Sequence, residues 1–216
     1  TDFGDKELLG DILLPLLRMQ TNFWKQLCTP EYFTDTDGNA CYLKGKKSLN
    51  DGEKYLIIPS YSPENRPKGY ESTITANAAM DISAARDGLR MNIEVEKILK
   101  FEGYEDRISE IQNFEKLLPD YKFDDSGALC EWSMKGYEEN NVHRHISHLY
   151  CAWPAYETQH SKVLTDACNQ AIENRNTENK GHDDTASHGW VHKALVAARL
   201  KNSKSVYETL YTLLNS

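Results

Sequence analysis

Three short stretches gather carboxylates, imidazoles, a guanidinium and indoles within a few residues of one another. The first is Ile58-Pro59-Ser60-Tyr61-Ser62-Pro63-Glu64-Asn65, in which two prolines stiffen a segment that ends in a carboxylate beside an amide. A rigid loop can hold a carboxyl for proton transfer, and partial burial against Tyr61 would raise its pKa, as a general acid near neutral pH requires. Ser62-Pro63-Glu64 can also do no more than cap a following helix. The second stretch is Gly127-Ala128-Leu129-Cys130-Glu131-Trp132, followed by His143-Arg144-His145-Ile146-Ser147-His148-Leu149. An acid beside Trp132 and a loop of Arg144 with three histidines can clasp a sugar, the indole face stacking on the ring while charged groups hydrogen-bond its hydroxyls. The same histidines can bind a metal, or can hydrogen-bond backbone and fill space. They lack H-E-x-x-H spacing and no nearby Cys or carboxylate completes a familiar set, so no metal and no cofactor is expected. The third stretch runs from His182-Asp183-Asp184-Thr185 to His188-Gly189-Trp190-Val191-His192. Asp184 or Thr185 is a good N-cap, which accounts for the paired aspartates without chemistry, and one i,i+4 histidine pair is weak evidence for a metal.

The elements that must position these loops are helical. Leu9, Leu13, Leu16, Leu17, Phe23, Trp24 and Leu27 keep close to a 3.6-residue period and predict a helix over residues 5 to 28, with Pro15 kinking it or marking its true start. Residues 29 to 71 break that pattern with Pro30, Asp37-Gly38-Asn39 and Asn50-Asp51-Gly52, which predicts a loop with one or two short strands near 41–58. An irregular excursion of that length is uncommon unless it carries a site. Ile74, Ala78, Ile82, Ala85, Leu89, Ile93 and Val95 form one stripe and predict a second helix over 72 to 100, stopped by Gly103. Further helices are expected at 105–117, 161–175, 186–200 and 203–215, with a loop-rich stretch over 120–160 between them. No fixed-period repeat is present, so the class is all-α with long functional loops.

With 216 residues the chain is long enough for one substantial domain. A formal charge of −8 repels nucleic acid and anionic membranes and is compatible with a neutral polar substrate. No apolar run approaches the roughly 18 residues that cross a bilayer. The five cysteines, odd in number and without a C-x-x-C pair, read as mostly buried thiols.

The order of the three stretches resembles glycoside hydrolase family 95. In that family a segment like Tyr55 to Asn65 precedes a helix with a Met-Asp pair, as Met80-Asp81 here; a Gly-x-Leu-Gln-Glu-Trp segment leads to His-Arg-His-x-Ser-His-Leu, and a Thr-Gly-Trp motif opens a helix ending in Ala-Arg-Leu. The likeness covers nearly the whole chain. It implies part of an (α/α)6 barrel that hydrolyses terminal α-L-fucosides, or in some members α-L-galactosides, with inversion. Two groups then flank the bond roughly 6.5–9.5 Å apart. By position Glu64 looks like the general acid, with Glu131 the runner-up. Arg144 and His145 look like fucose-binding residues, and Trp132 and Trp190 like pocket walls. Cys130 stands in place of the usual Gln and His188 in place of the usual Thr. The family's water-positioning asparagines and its base aspartate would lie before Thr1 and after Ser216.

Twelve helices of about 11–12 residues with their connections need about 300 residues, so the helices expected here make about half a barrel. That implies exposed apolar helix faces, and either self-association or pairing with the missing part of a parent chain. Such a piece is expected to be inactive by itself. The implied partner is an oligosaccharide or glycan, and the implied location is secreted or periplasmic. A helical carbohydrate-binding or scaffold module without turnover is the alternative.

Overall fold

The computed structural model describes residues 5–179 and 187–215, which form two compact units: residues 5–58 with 84–119, and residues 59–83 with 120–179 and 187–215. Six α-helices and five short strands are found among the described residues. The candidate residues for chemistry lie in the second unit.

In the first unit the chain opens with a π-helical stretch, Leu8–Leu13, that runs into α1, Leu14–Leu27. Pro15 falls in the first turn of α1, at the junction with the π-helical stretch, where the hydrogen-bonding pattern changes. Leu9, Leu14, Leu17 and Val95 form the core here, with Leu13 and Leu99 against it. Leu8, Ile12, Leu16, Met19 and Phe23 form an exposed apolar stripe. Strands β1 (Tyr32–Thr34), β2 (Ala40–Tyr42) and β3 (Lys54–Tyr55) make an antiparallel sheet in the order β2-β1-β3. The β1–β2 connection is an ordinary turn: Asp35 Oδ1 accepts the N–H groups of Asp37 and Asn39 at 3.0 and 2.8 Å, and Gly38 takes the left-handed conformation. Buried Glu96 is gripped by Arg18 Nη2 at 2.7 Å and by Arg107 Nε at 2.9 Å.

The helix expected over 72–100 is α2, Ala79–Leu99. It begins later than its apolar stripe because Ile74–Thr75 is spent as strand β5, paired antiparallel with β4, Ser60–Tyr61, and Ala78 bridges to Trp132. Its end also differs. Lys100 at φ 50° follows the last turn, while Gly103 at φ 74° is the N-cap of α3, Tyr104–Lys116. Glycine takes the left-handed region without the Cβ clash that lysine meets. Lys100→Gly is therefore expected to stabilise the protein by about 1 kcal/mol, read as a higher denaturant midpoint at unchanged slope.

The second unit holds α4 (Lys162–Asn179), α5 (Ser187–Arg199) and α6 (Ser203–Asn215), close to the expected spans. Its core joins Leu129, Ile146, Leu149, Cys151, Leu164, Cys168, Ile172, Val196 and Leu200. Two short 3-10 segments, Ser147–Cys151, which is kinked at Leu149, and Glu157–His160, are not legible as helix in the sequence. All five cysteines are free thiols; Cys28, Cys130, Cys151 and Cys168 are buried, and Cys41 is half-buried. Sγ of Cys151 lies 3.5 Å from Sγ of Cys168. No helix among the described residues is long and apolar enough to cross a membrane.

Candidate active site

Glu64 sits on a tight turn. The Asn65 N–H donates to the Ser62 carbonyl at 3.1 Å, Pro63 occupies the second position, and Glu64 at the third has φ 59°. This is the pattern of a type II turn, whose third position favours Gly or Asn. A glutamate there is a poor choice for the turn. Such an outlier points to a requirement of the side chain. Ser62 does not cap a helix; its hydroxyl donates to Glu131 Oε1 at 2.5 Å.

The turn is held from both sides. The Tyr61 hydroxyl accepts the Glu64 backbone N–H at 2.8 Å. Asp81 Oδ2 accepts from the Ser60 hydroxyl at 2.6 Å and from the Tyr61 N–H at 3.1 Å, and burial pushes the Asp81 carboxyl above its ordinary range.

The Glu64 carboxylate meets Arg144 Nη2 in an ion pair and accepts from His145 Nε2 at 3.1 Å. Its side chain remains 55% exposed. The hydrogen bond from His145, with the Arg144 charge behind it, holds the Glu64 carboxyl below the usual range. That reverses the expectation that burial against Tyr61 raises it: here solvent reaches the group, and the His145 hydrogen bond and the Arg144 charge outweigh desolvation. His143 donates from Nε2 to the Pro63 carbonyl at 3.3 Å, and burial lowers its pKa. Its ring lies 5.1 Å from that of His145, which lies 5.5 Å from that of His188 at the start of α5.

Glu131 and Trp132 stand in a different environment from Glu64, both with 0% exposure. Glu131 Oε2 accepts from Arg175 Nη2 at 2.8 Å and from Asn65 Nδ2 at 2.5 Å. Burial acts to raise the Glu131 carboxyl, but the Arg175 charge and the hydrogen bonds from Ser62 and Arg175 leave it below its ordinary range. Trp132 packs edge-on to Tyr137 at 6.4 Å and presents no face to solvent. Cys130 is buried as well, and that burial pushes its thiol up to about 12. Trp190 is half-buried, with Lys193 Nζ 5.3 Å above its ring.

The three expected clusters thus divide. Glu64, Arg144, His145 and His188 come together; Glu131 and Trp132 lie behind them; His192 packs on Trp153 at 5.5 Å. The N-cap expected at Asp184 or Thr185 falls outside the described residues. No group of three or more His, Cys, Asp or Glu among the described residues is arranged to hold a metal. His148 is fully buried and pushed down to about 3 by that burial.

Two contributors were not anticipated. Arg175 continues the apolar stripe Leu164, Cys168, Ala171 and Ile172 of α4. A charge at a core position is the signal that could have found it. Glu139 accepts the Glu131 backbone N–H at 2.9 Å, and burial pushes its carboxyl up to about 7.

A helical scaffold carrying a loop-borne carboxylate between a guanidinium and an imidazole is compatible with the class of helical glycosidase domains. Over residues 3–216 the chain matches the glycosyl hydrolase family 95 catalytic domain, and it belongs to that family. It is 28% identical over 155 residues to alpha-L-fucosidase 2 of Arabidopsis thaliana. The shared stretch covers 69% of this chain and 17% of that relative's length.

Proposed function

We propose that these residues belong to an enzyme that hydrolyses terminal α-L-fucosides, or α-L-galactosides, with inversion, within an (α/α)6 barrel of which this chain forms part. The observation that carries the reading is Glu64 held between Arg144 and His145. In the free site the carboxylate is ionised. A bound sugar draws Arg144 and His145 onto its hydroxyls and excludes water, both of which raise the Glu64 pKa. Glu64 takes up a proton from solvent as the sugar binds and delivers it to the leaving glycosidic oxygen. The group that activates water across the ring is assigned to residues outside this segment, following the family resemblance. Trp190 and His188 flank the sugar. Glu131 and Trp132, being enclosed, support the loop.

The test is hydrolysis of an aryl α-L-fucoside by the enzyme containing this segment, with the anomer released followed by proton NMR. The β-anomer is expected first; initial release of the α-anomer overturns inversion, and no release overturns the activity. The 216-residue chain on its own is expected to show no turnover.

The low pKa of Glu64 also suits a second reading, sugar binding without turnover. Under that reading Glu64→Gln leaves every measurable property except affinity unchanged.

A further inference from the structure

We propose that the buried Arg175–Glu131 pair is the positioning element that sets Glu64 against Arg144 and His145; this rests on the reading of those three residues as the sugar-facing groups. Neither member touches the proposed substrate. Glu131 takes Ser62 on Oε1 and Asn65 on Oε2, the first and last residues of the turn that carries Glu64. Arg175 binds the same Oε2 through Nη2, and through Nη1 it donates to the carbonyls of Asn140 at 3.0 Å and His143 at 3.3 Å. One ion pair thus holds the carboxylate loop with one end and the Arg144–His145 loop with the other.

The two loops are also stitched directly. Asn65 Nδ2 donates to the Asn140 carbonyl at 3.2 Å, Asn140 Nδ2 donates to Asn65 Oδ1 at 3.1 Å, and His143 reaches Pro63. A buried pair of charges is a costly way to stabilise a core, because desolvation offsets most of the attraction and apolar residues of the same volume often do as well. It does fix direction. A carboxylate with both oxygens engaged and a planar guanidinium have few alternative geometries, and alignment of reacting groups is where a site is most sensitive.

The test follows the titration of the Glu64 side-chain carboxyl by carbon NMR in the 216-residue chain, so it does not depend on turnover. In wild type Glu64 titrates below the ordinary carboxylate range. In Glu131→Gln and Arg175→Met it is expected to move up into that range, and in Arg175→Lys only part of the way. Ser62→Ala with Asn65→Ser cuts the turn away from the buried pair and should give the same rise. A Glu64 titration unchanged in that double variant overturns the proposal, whatever the buried-pair variants do. In the active enzyme the same substitutions should lower kcat on the order of 10²-fold, with a smaller change in KM. If wild type hydrolyses no fucoside, the functional reading fails while the titration still decides the positioning role.

Discussion

Glu64→Gln is expected to lower kcat by about 10²–10⁴-fold in the active enzyme, while Glu64→Asn abolishes turnover and raises the melting temperature. The first part follows from the chemistry assigned to the side chain: the amide has the shape of the carboxyl and can accept from His145, but it has no proton to give. The second follows from the backbone. At φ 59° in a turn with proline before it, Asn is favoured where Glu is strained. The ion pair with Arg144 and the hydrogen bond from His145, which the shorter amide gives up, lie partly in solvent and hold the turn only weakly. A residue kept at the expense of its own turn is one whose side chain is needed. Melting curves and steady-state kinetics on the two variants test both halves. A lower melting temperature for Glu64→Asn would show that the carboxylate's bonds to Arg144 and His145, and not its chemistry, keep glutamate there.

Glu139→Gln is expected to remove a pH-dependent penalty of about 3 kcal/mol. Burial pushes the Glu139 carboxyl from its ordinary 4.5 up to about 7. Because the folded pKa lies above the unfolded one, the folded state binds the proton more tightly. This contribution to stability is fully present below about pH 4.5 and is lost as pH rises through about 7. Glu131, which faces Glu139, adds to the rise, and Arg175 and Lys122 oppose it. Their action on the Glu139 charge is part of the same shift and disappears with it, since glutamine is neutral at every pH. Glutamine's carbonyl can still accept the Glu131 N–H. Denaturant midpoints for the two proteins should therefore diverge between pH 5 and 8, with wild type falling below Glu139→Gln. Parallel curves would mean that water reaches Glu139 and the penalty is absent.

The helices were legible because their stripes are strong. Residues 203–215 became α6 without a change of boundary, and the stripe from Ile82 to Val95 lies within α2. The start of α2 was not legible, since Ile74 and Ala78 fit a helical period as well as a strand, and only the pairing of Ser60 with Thr75 decides between them. Glu64, Arg144 and His145 could be read together because motif order gave what spacing could not. Their electrostatics could not be read. Whether Tyr61 or solvent surrounds Glu64 depends on how far the turn projects, and on Asp81 and Glu131 holding it from residues distant in sequence. The neighbouring Glu131 and Trp132 looked like sugar-binding groups by type alone; the surroundings of Glu131 come from Arg175, 44 residues away, and those of Trp132 from Tyr137 and Ala78.

The distribution of thiols gives the molecule a built-in clock for its own opening. Cys41, on the edge strand β2, is the half-buried thiol, whereas Cys28 and Cys130 are buried and pushed up to about 12, and Cys151 and Cys168 face each other in the core. A maleimide offered to the native protein meets one accessible sulfur, so Cys41 serves as a natural attachment point for a fluorophore. Each later increment of mass then reports the rate at which a sealed region exposes its sulfur, separately for the two units.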